Sequence, residues 1–383
     1  MKTGIALSGG VDSAVAAYKL KEQGHDLVGV FMRFWHEPEI ACSGCVENKC
    51  CSADSLLKIK KICLQLDIPL LIFNFENEFK KQVVDKFIEY YESGKTPNPC
   101  VWCNQEIKFK LLLEEAIQHN IEKIATGHYA GIEAVDGHYY IRRGLDQTKD
   151  QSYFLYRIDQ TTLKQIIFPL ADTLKEDNAK LAEKVFPSLN FNQQKESQDL
   201  CFYPESSYKP FILRNSQKLA DKGDIVDIHG KVIGEHDGLI NYTLGQRRGI
   251  SIGGGPILYV KEIDIANNRL VVADKSHILC DTIKIDQIIS SPMLSSSTLS
   301  DDRSDRDRGS NSLSAQIRYG HDPAACSIVS FHPRLERGQP RSQIRTLSES
   351  LSIRFAEPQF APTPGQHCVI YQDNLVIGGG EIT

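Results

Sequence analysis

The chain lacks the features that would place it in a membrane or a secretory pathway. Across its 383 residues no apolar run approaches the ~20 needed to span a bilayer, and no charged-then-apolar leader precedes the first predicted strand. Those two absences lead us to expect a soluble, cytosolic protein. Excess positive charge is also missing: 44 Lys and Arg face 49 Asp and Glu, for a net charge of −5, so a nucleic-acid surface would have to be a local basic patch. The N-terminal glycine pair, Gly9-Gly10, fits neither of the common phosphate motifs, since it is followed by no Gly-Lys-Ser/Thr and belongs to no Gly-x-Gly-x-x-Gly. Cysteine, by contrast, is plentiful. Eleven is an odd number, which argues against a closed disulfide framework and towards metal binding, thiol chemistry or simple burial in a reducing compartment.

The stretch around which the rest is organised is Ala6-Leu7-Ser8-Gly9-Gly10-Val11-Asp12-Ser13. Before it, residues 3–7 are short, apolar and partly β-branched, as in a buried strand. After it, apolar residues at 11, 14, 15, 17 and 20 mark one face of a helix that Gly24 would end. A glycine pair where a strand turns into a helix leaves backbone N–H groups and the positive helix end facing an anion. Ser8 and Ser13 offer hydroxyls. Asp12 would repel phosphate without an intervening cation, so we read it as a second-sphere Mg²⁺ group. Ser-Gly-Gly-x-Asp-Ser in this setting resembles the pyrophosphate loop of ATP pyrophosphatases. That resemblance implies cleavage of ATP between the α and β phosphates, and leaves the product open.

Strands are expected at 26–31, 70–75 and 123–126, with helices over 52–66, 78–93 and 171–186. The pattern predicts an α/β domain with a parallel sheet whose ligands lie at the carboxyl ends of the strands. Met32 falls just past the second strand, where it could pack on an adenine or merely fill the core. Cys42, Cys45, Cys50 and Cys51 share a loop and could bind zinc, although a fourth ligand at metal spacing is not obvious. The prolines of Asn98-Pro99-Cys100-Val101-Trp102-Cys103 break regularity before a helix predicted from Glu106. That start would put Cys103 near a helix N-terminus and make its thiol reactive. Residues 149–153 read as a polar loop whose Lys149 and Gln151 could contact a phosphate or base. Cys201 sits in a turn-prone loop and could face the Cys100/Cys103 pair.

From residue 205 the chain becomes β-rich. We expect domains at 1–204, 205–276 (a small β module) and 277–383 (a C-terminal β-barrel), with a disordered Ser/Asp/Arg-rich insertion at 295–314. Arg247 and Arg248 offer a phosphate contact, and residues 334–345 read as a solvated loop or a modest nucleic-acid arm.

Taken together, the pyrophosphate loop, Asn98-Pro-Cys-Val-Trp-Cys103, Ala125-Thr-Gly-His-Tyr129, Lys149-Asp-Gln151, Leu200-Cys201-Phe, Gly245-Gln-Arg-Arg-Gly249, Arg318-Tyr319, Pro364-Gly-Gln366 and Gly378-Gly-Gly-Glu381 resemble the bacterial tRNA-specific 2-thiouridylases over the whole length. The resemblance implies ATP-dependent replacement of the C2 oxygen of the wobble uridine, U34, by sulfur in tRNAs such as those for Lys, Glu and Gln. By the same resemblance ATP would bind at Ala6–Ser13, Met32 and Gly127, and the target base at Asn98, Pro99 and Cys100. The tRNA would meet His128, Lys149, Asp150, Gln151, Arg318, Tyr319 and Gln366. Cys103 would be the nucleophile and Cys201 the persulfide carrier, closing in a transient Cys103–Cys201 disulfide. The sulfur would come from a cysteine desulfurase or relay protein. Many family members have Asp where this chain has Cys100, and that difference raises a competing state, a [4Fe–4S] cluster on Cys100, Cys103 and Cys201. Two other readings remain open: another tRNA-modifying or amide-forming ATP pyrophosphatase, or a cysteine-rich metal- or RNA-binding protein without catalysis.

Overall fold

The computed structural model describes residues 2–37, 53–191, 200–203, 207–216, 220–250, 252, 256–297, 313–332 and 350–383. The Cys42–Cys51 loop, the basic 334–345 stretch and most of the 295–314 insertion lie outside them. The two ends of that insertion are described: residues 295–297 close a short helix, Pro292–Ser297, and Leu313 and Ser314 already belong to a strand.

The chain divides into two compact units. The first comprises Met1–Asp85, Pro99–Ser206 and Asn374–Val376; the second comprises Lys86–Asn98, Ser207–Asp373 and Ile377–Thr383.

The first unit is built on a five-stranded, all-parallel sheet. Its strands are β1 (Lys2–Ala6), β2 (Asp26–Arg33), β3 (Leu70–Asn74), β4 (Lys123–Ala125) and β7 (Ile166–Ile167), in the order β3-β2-β1-β4-β7. Helices α1 (Val11–Glu22) and α2 (Ala53–Leu66) pack Ala14, Val15, Ala17, Leu20, Ile59 and Ile62 into one core with Ile5, Leu27 and Phe31. Helix α1 stops because Gly24 takes up φ +80°, the left-handed value that suits a residue without Cβ. The order places β1 between β2 and β4, where the chain direction across the sheet reverses, and ligands of open α/β sheets collect at such a point. A hairpin of β5 (Ala130–Val135) and β6 (His138–Arg143) completes the sheet structure of this unit, with Leu375 paired to Arg142.

One helix follows the expected span closely and another begins earlier than the sequence pattern suggests. Helix α3 runs unbroken through Glu76–Phe79, Lys80–Val84 and Asp85–Glu92, and α4 through Pro99–Trp102, Cys103–Leu111 and Leu112–Gln118. Both include a π-helical stretch. Proline suits the first helical position, because its missing N–H would be unpaired there anyway. The helix expected from Glu106 therefore starts at Pro99.

The second unit holds a four-stranded sheet and a barrel. The sheet has the order β10 (Tyr259–Asp264), β11 (Arg269–Ala273), β8 (Gly223–Val226), β9 (Val232–His236), with β11 and β8 parallel. The barrel runs β12 (Leu279–Ser290), β15 (Ser350–Phe360), β14 (Ala324–His332), β13 (Leu313–Gln316), β16 (His367–Gln372), β17 (Leu375–Ile382), and β17 pairs back with β12 to close it. Closure removes the exposed sheet edges. Glycines on β17 permit it: a Cβ at Gly380 would stand 2.6 Å from Asp286 O and one at Gly378 2.7 Å from Ile289 O. Among the described residues no helix is long and apolar enough to cross a membrane.

Candidate active site

The loop that follows β1 is drawn together by its own serines. Ser8 N–H donates to Ser13 Oγ at 3.2 Å, Ser13 Oγ donates to Gly10 O at 3.0 Å, and the two hydroxyls lie 3.3 Å apart. Gly9 sits at φ +79°, and a Cβ there would meet Ser55 O at 3.1 Å. Gly10 precedes α1 and brings no side chain to cap it, so the first N–H groups of the helix are left to whatever occupies the loop. The serines are thus first the internal ties of the loop.

Asp12, in the first turn of α1, is bonded by side chains from outside the loop. Tyr129 Oη donates to its Oδ1 at 2.8 Å, and Lys175 Nζ donates to Oδ1 at 2.7 Å and Oδ2 at 2.8 Å. Tyr129 in turn accepts from Asn178 Nδ2 at 3.1 Å, and Asn178 also donates to Thr173 Oγ1 at 2.7 Å. Burial, reinforced by the carboxylate beside it, pushes the Tyr129 phenol far up, so it stays protonated and donates. The Lys175 ammonium, from α5 (Lys175–Val185), is thus a cation adjoining Asp12 that the sequence pattern does not announce. Nothing near Lys175 in the sequence announces this. It stands 163 residues from Asp12 and becomes its partner only when α5 packs beside α1.

A cavity of about 300 Å³ opens beside the loop, and all its lining residues belong to the first unit. From the loop it is lined by Ala6, Leu7, Ser8, Asp12 and Ser13; Gly9, Gly10 and Val11 are not in its wall. Met32 lines it from within β2, one residue short of the strand end and only 8% exposed. Helix α4 contributes Pro99, Cys100, Cys103 and Lys108, and the turn after β4 contributes Thr126, Gly127 and His128. Gln151, Leu200, Cys201 and Phe202 also line it, and Phe31, Phe34, Phe79 and Val83 add apolar wall. Three cysteines separated by up to 101 positions thus face one space that the loop also faces.

The start of α4 changes the electrostatic reading of its thiols. Cys100 is the second residue of the helix and lies within the first turn, where the dipole acts most strongly. Cys103, expected there, lies a turn further along and is buried at 6% exposure. Cys201 is held differently, by the ring next to it. Phe202, 2% exposed, packs edge-on against Phe79, which stacks on Phe34 at 4.7 Å. This aromatic wall was not legible in the sequence, because the three rings come from separate elements. Among the described residues no group of three or more His, Cys, Asp or Glu side chains is arranged to hold a metal ion. Cys100, Cys103 and Cys201, to which the resemblance assigns a [4Fe–4S] cluster, all line the one cavity.

The other predicted contacts separate by environment. Gly127 packs against the beginning of α1, where a Cβ would lie 2.8 Å from the Asp12 carbonyl carbon. His128 has Nδ1 2.7 Å from Thr126 Oγ1, and burial together with nearby Lys108 holds its pKa well below the usual imidazole range. It is neutral at pH 7 and meets the cavity as a hydrogen-bonding ring. Gln151 accepts from Tyr129 N–H at 3.0 Å.

Asp150 is buried inside the fold, where its carboxylate accepts from Gly144 N, Ser152 N, Ser152 Oγ and Arg143 Nε at 2.8–3.2 Å. The segment read as a polar loop is thus anchored by its acid. Asn98 and Lys149 are not in the cavity wall. In the second unit Arg318 donates to Phe360 O and Ala361 O, Tyr319 is 46% exposed, and Gln366 donates to Thr96 O and Pro97 O. Arg247 and Arg248 are exposed.

Fold and site define the class: a parallel α/β domain with a glycine-rich strand-to-helix loop over a thiol-lined cavity, followed by two β modules. The tRNA methyl transferase HUP domain family matches residues 1–205, the tRNA methyl transferase PRC-barrel domain 209–274 and the aminomethyltransferase beta-barrel domain 295–382. The chain is 36% identical over 380 residues to the tRNA-specific 2-thiouridylase MnmA of Herpetosiphon aurantiacus, covering 99% of this chain and 97% of that one. It is 38% identical over 383 residues to the protein of the same name from Geotalea uraniireducens, covering 99% and 94%. The chain belongs to the tRNA-specific 2-thiouridylase family.

Proposed function

We propose that this enzyme forms 2-thiouridine at the wobble position of tRNA, using ATP to activate the C2 oxygen of the base. The observation that carries the reading is that Ser8, Asp12 and Ser13 of the loop line one cavity with Cys100, Cys103 and Cys201.

A uridine carbonyl oxygen is a very poor leaving group, so it must first be converted into a good one. The C2 oxygen would attack the α phosphorus of ATP, releasing pyrophosphate and leaving the base adenylated. The N–H groups at the start of α1 would face the departing pyrophosphate, and the Lys175–Asp12 pair would keep the acid of the loop from opposing that charge. Mg²⁺ would arrive largely on the nucleotide's phosphates, as such ions usually do, since the only carboxylate of the loop is already ion-paired. Met32 would pack against the adenine.

Sulfur would enter as a persulfide on Cys201, loaded by a separate cysteine desulfurase or relay protein. The terminal sulfur attacks C2 and AMP leaves. The Cys103 thiolate then attacks Cys201 Sγ, so that C2 keeps the sulfur as a thiocarbonyl and a Cys103–Cys201 disulfide forms. External thiol must reduce that disulfide before the next cycle. The uridine has to leave its stack to reach the cavity, and Pro99 and Cys100 would flank it there. Residues 1–204 would perform the chemistry, with 205–276 and 277–383 gripping the tRNA through exposed positions such as Arg247, Arg248 and Tyr319.

The test is incubation of the purified protein with ATP, Mg²⁺, a persulfide donor and unmodified tRNA under reducing, anaerobic conditions. Stoichiometric 2-thiouridine and AMP are expected. AMP release without thiolation would instead favour a different ATP pyrophosphatase, and no AMP release would favour a non-catalytic binder.

A further inference from the structure

We propose that Lys108 is a catalytic residue of the adenylation step, its ammonium contacting the α phosphate of ATP as that group passes to the base. The inference rests on the reading of the cavity as the place where the C2 oxygen is adenylated, and every residue it uses belongs to the first unit.

Lys108 reaches the cavity because of how α4 is wound. From Cys103 to Leu111 the helix is π-helical, and at its end Leu112 N–H donates to Ile107 O, five residues back. In an α-helix, residues five apart stand about 140° apart around the axis, so Lys108 would face away from Cys103. Bonding from residue i to residue i−5 widens the turn and sets them one above the other. Cys103 and Lys108 accordingly line the same space. Helical side chains lean towards the N-terminus, so the lysine extends back over the turn that carries Cys103. Neighbours on both sides of Lys108 hold this winding. Asn104 Nδ2 donates to Phe154 O at 3.2 Å, and Phe109, 1% exposed, packs against the rings of His128 and Phe168 at 5.7 Å and 5.9 Å. Lys110, by contrast, is exposed and pairs with Glu106 at 3.2 Å.

The cavity has little positive charge of its own. Among the described residues that line it, Lys108 carries the only cationic side chain. His128 is held neutral by burial and by the Lys108 charge near it. Lys175 is engaged by Asp12 and is not in the wall. Helix α3 offers only Phe79 and Val83 to the cavity. A nucleotide whose β and γ phosphates meet the loop would therefore find one side-chain cation across from it.

The order of bond changes decides which phosphate the ammonium meets. The base oxygen bonds to the α phosphorus, and sulfur later attacks the carbon that carries this oxygen. A single oxygen thus separates the α phosphorus from the carbon that the thiols address. Lys108 shares its face of α4 with Cys103 and stands on that side, whereas the loop faces the pyrophosphate end. In the first half-reaction the O–P bond forms while the bond to pyrophosphate breaks, and uracil N3 gives its proton to water. In the second, the C2–O bond breaks, AMP leaves with the electron pair, and N3 regains a proton. Negative charge grows on the α phosphate in both, and an ammonium fixed beside it stabilises both transition states. Lys108 keeps its proton throughout.

The test compares wild type with Lys108→Met, which keeps the stem and removes the charge, and with Lys108→Arg, which keeps the charge. Three quantities are read: affinity for a non-hydrolysable ATP analogue, pyrophosphate release in a single turnover at saturating ATP and unmodified tRNA without a sulfur donor, and iodoacetamide alkylation rates at Cys100 and Cys103. The proposal expects nearly unchanged nucleotide affinity and unaltered alkylation in Lys108→Met. Pyrophosphate release should fall on the order of 100-fold and be partly restored in Lys108→Arg. Wild-type pyrophosphate release with slowed alkylation of Cys103 would make Lys108 a partner of the thiol, and overturns the proposal. So does an equal loss in Lys108→Met and Lys108→Arg with altered alkylation of both cysteines, the mark of a lysine that only shapes the helix. If Lys108→Met does not fold, Lys108→Gln is read by the same criteria. Wild-type protein that releases no pyrophosphate sinks the adenylation reading and this inference with it, whereas undiminished release in the variant sinks the inference alone.

Discussion

The Lys175 ammonium lies 2.7 Å and 2.8 Å from the two carboxylate oxygens of Asp12, at the turn where the first strand becomes the first helix. A carboxylate within an anion-binding loop works against the loop's own ligand, and this pair resolves the conflict locally. Lys175→Met leaves Asp12 charged and facing the phosphates. Hydrogen bonds to charged groups contribute about 1.5–3 kcal/mol, so ATP should bind roughly ten- to a hundredfold more weakly. Asp12→Asn combined with Lys175→Met should lose less than the sum of the single changes. Isothermal titration with a non-hydrolysable ATP analogue checks both; additive losses would show that the two residues act independently.

The three thiols of the cavity should differ in consequence. Cys103→Ser and Cys201→Ser are each expected to abolish 2-thiouridine formation while leaving ATP binding intact, because both sulfurs are consumed in the closing disulfide. Cys100→Ser should retain measurable activity, since no bond of the persulfide route forms at Cys100. Mass spectrometry of tRNA digests gives the answer directly. Complete loss in Cys100→Ser, accompanied by iron and acid-labile sulfide in the anaerobically purified wild type, would move the mechanism to a cluster.

His128 should make the protein sensitive to acid. Its folded pKa is depressed, chiefly by burial, while the unfolded value stays near 6.5. As pH falls through that range the unfolded chain takes up a proton that the folded chain refuses. The contribution to stability is therefore present above about pH 6.5 and lost below it. His128→Gln should flatten this part of the curve when denaturant midpoints are compared between pH 5 and pH 8. An unchanged slope would mean that His128 is protonated in the folded protein.

Asp150 should behave as a structural anchor. Asp150→Ala removes the buried carboxylate that accepts from Arg143 Nε, Gly144 N, Ser152 N and Ser152 Oγ. Breaking a buried charged pair costs about 3–5 kcal/mol, so unfolding in urea should shift to clearly lower concentration. A normal unfolding curve with weakened tRNA binding would restore Asp150 to the tRNA surface.

Local features of the sequence were read with little loss where a single element carries the information. Helix α1 and its stop at Gly24, strands β1 to β4 and the hairpin at Gly223–Val226 and Val232–His236 follow from apolar spacing and turn residues. The readings failed where packing overrides the local pattern. The proline pattern predicts a break at Pro99, but at the first helical position Pro99 begins α4, which moves Cys103 away from the helix end. Strand β17 escaped notice because three successive glycines, Gly378 to Gly380, read poorly as a strand; two of them are needed where β12 passes within contact of a missing Cβ. Met32, placed beyond its strand, is still inside it.

The sequence by itself determined the loop, the identities of the thiols and the succession of α/β and β-rich regions, because those depend on residue type and short-range periodicity. Only the tertiary structure decided which groups face one another. Lys175 reaches Asp12, Phe202 settles on Phe79, and Gln366 takes hold of Thr96 and Pro97 across intervals of 123 to 270 residues. Such pairings leave no period in the sequence. They arise when helices and strands of fixed length close around a shared core, and at the Ala6–Ser13 loop that closure brings Asp12, Cys103 and Cys201 to a single cavity.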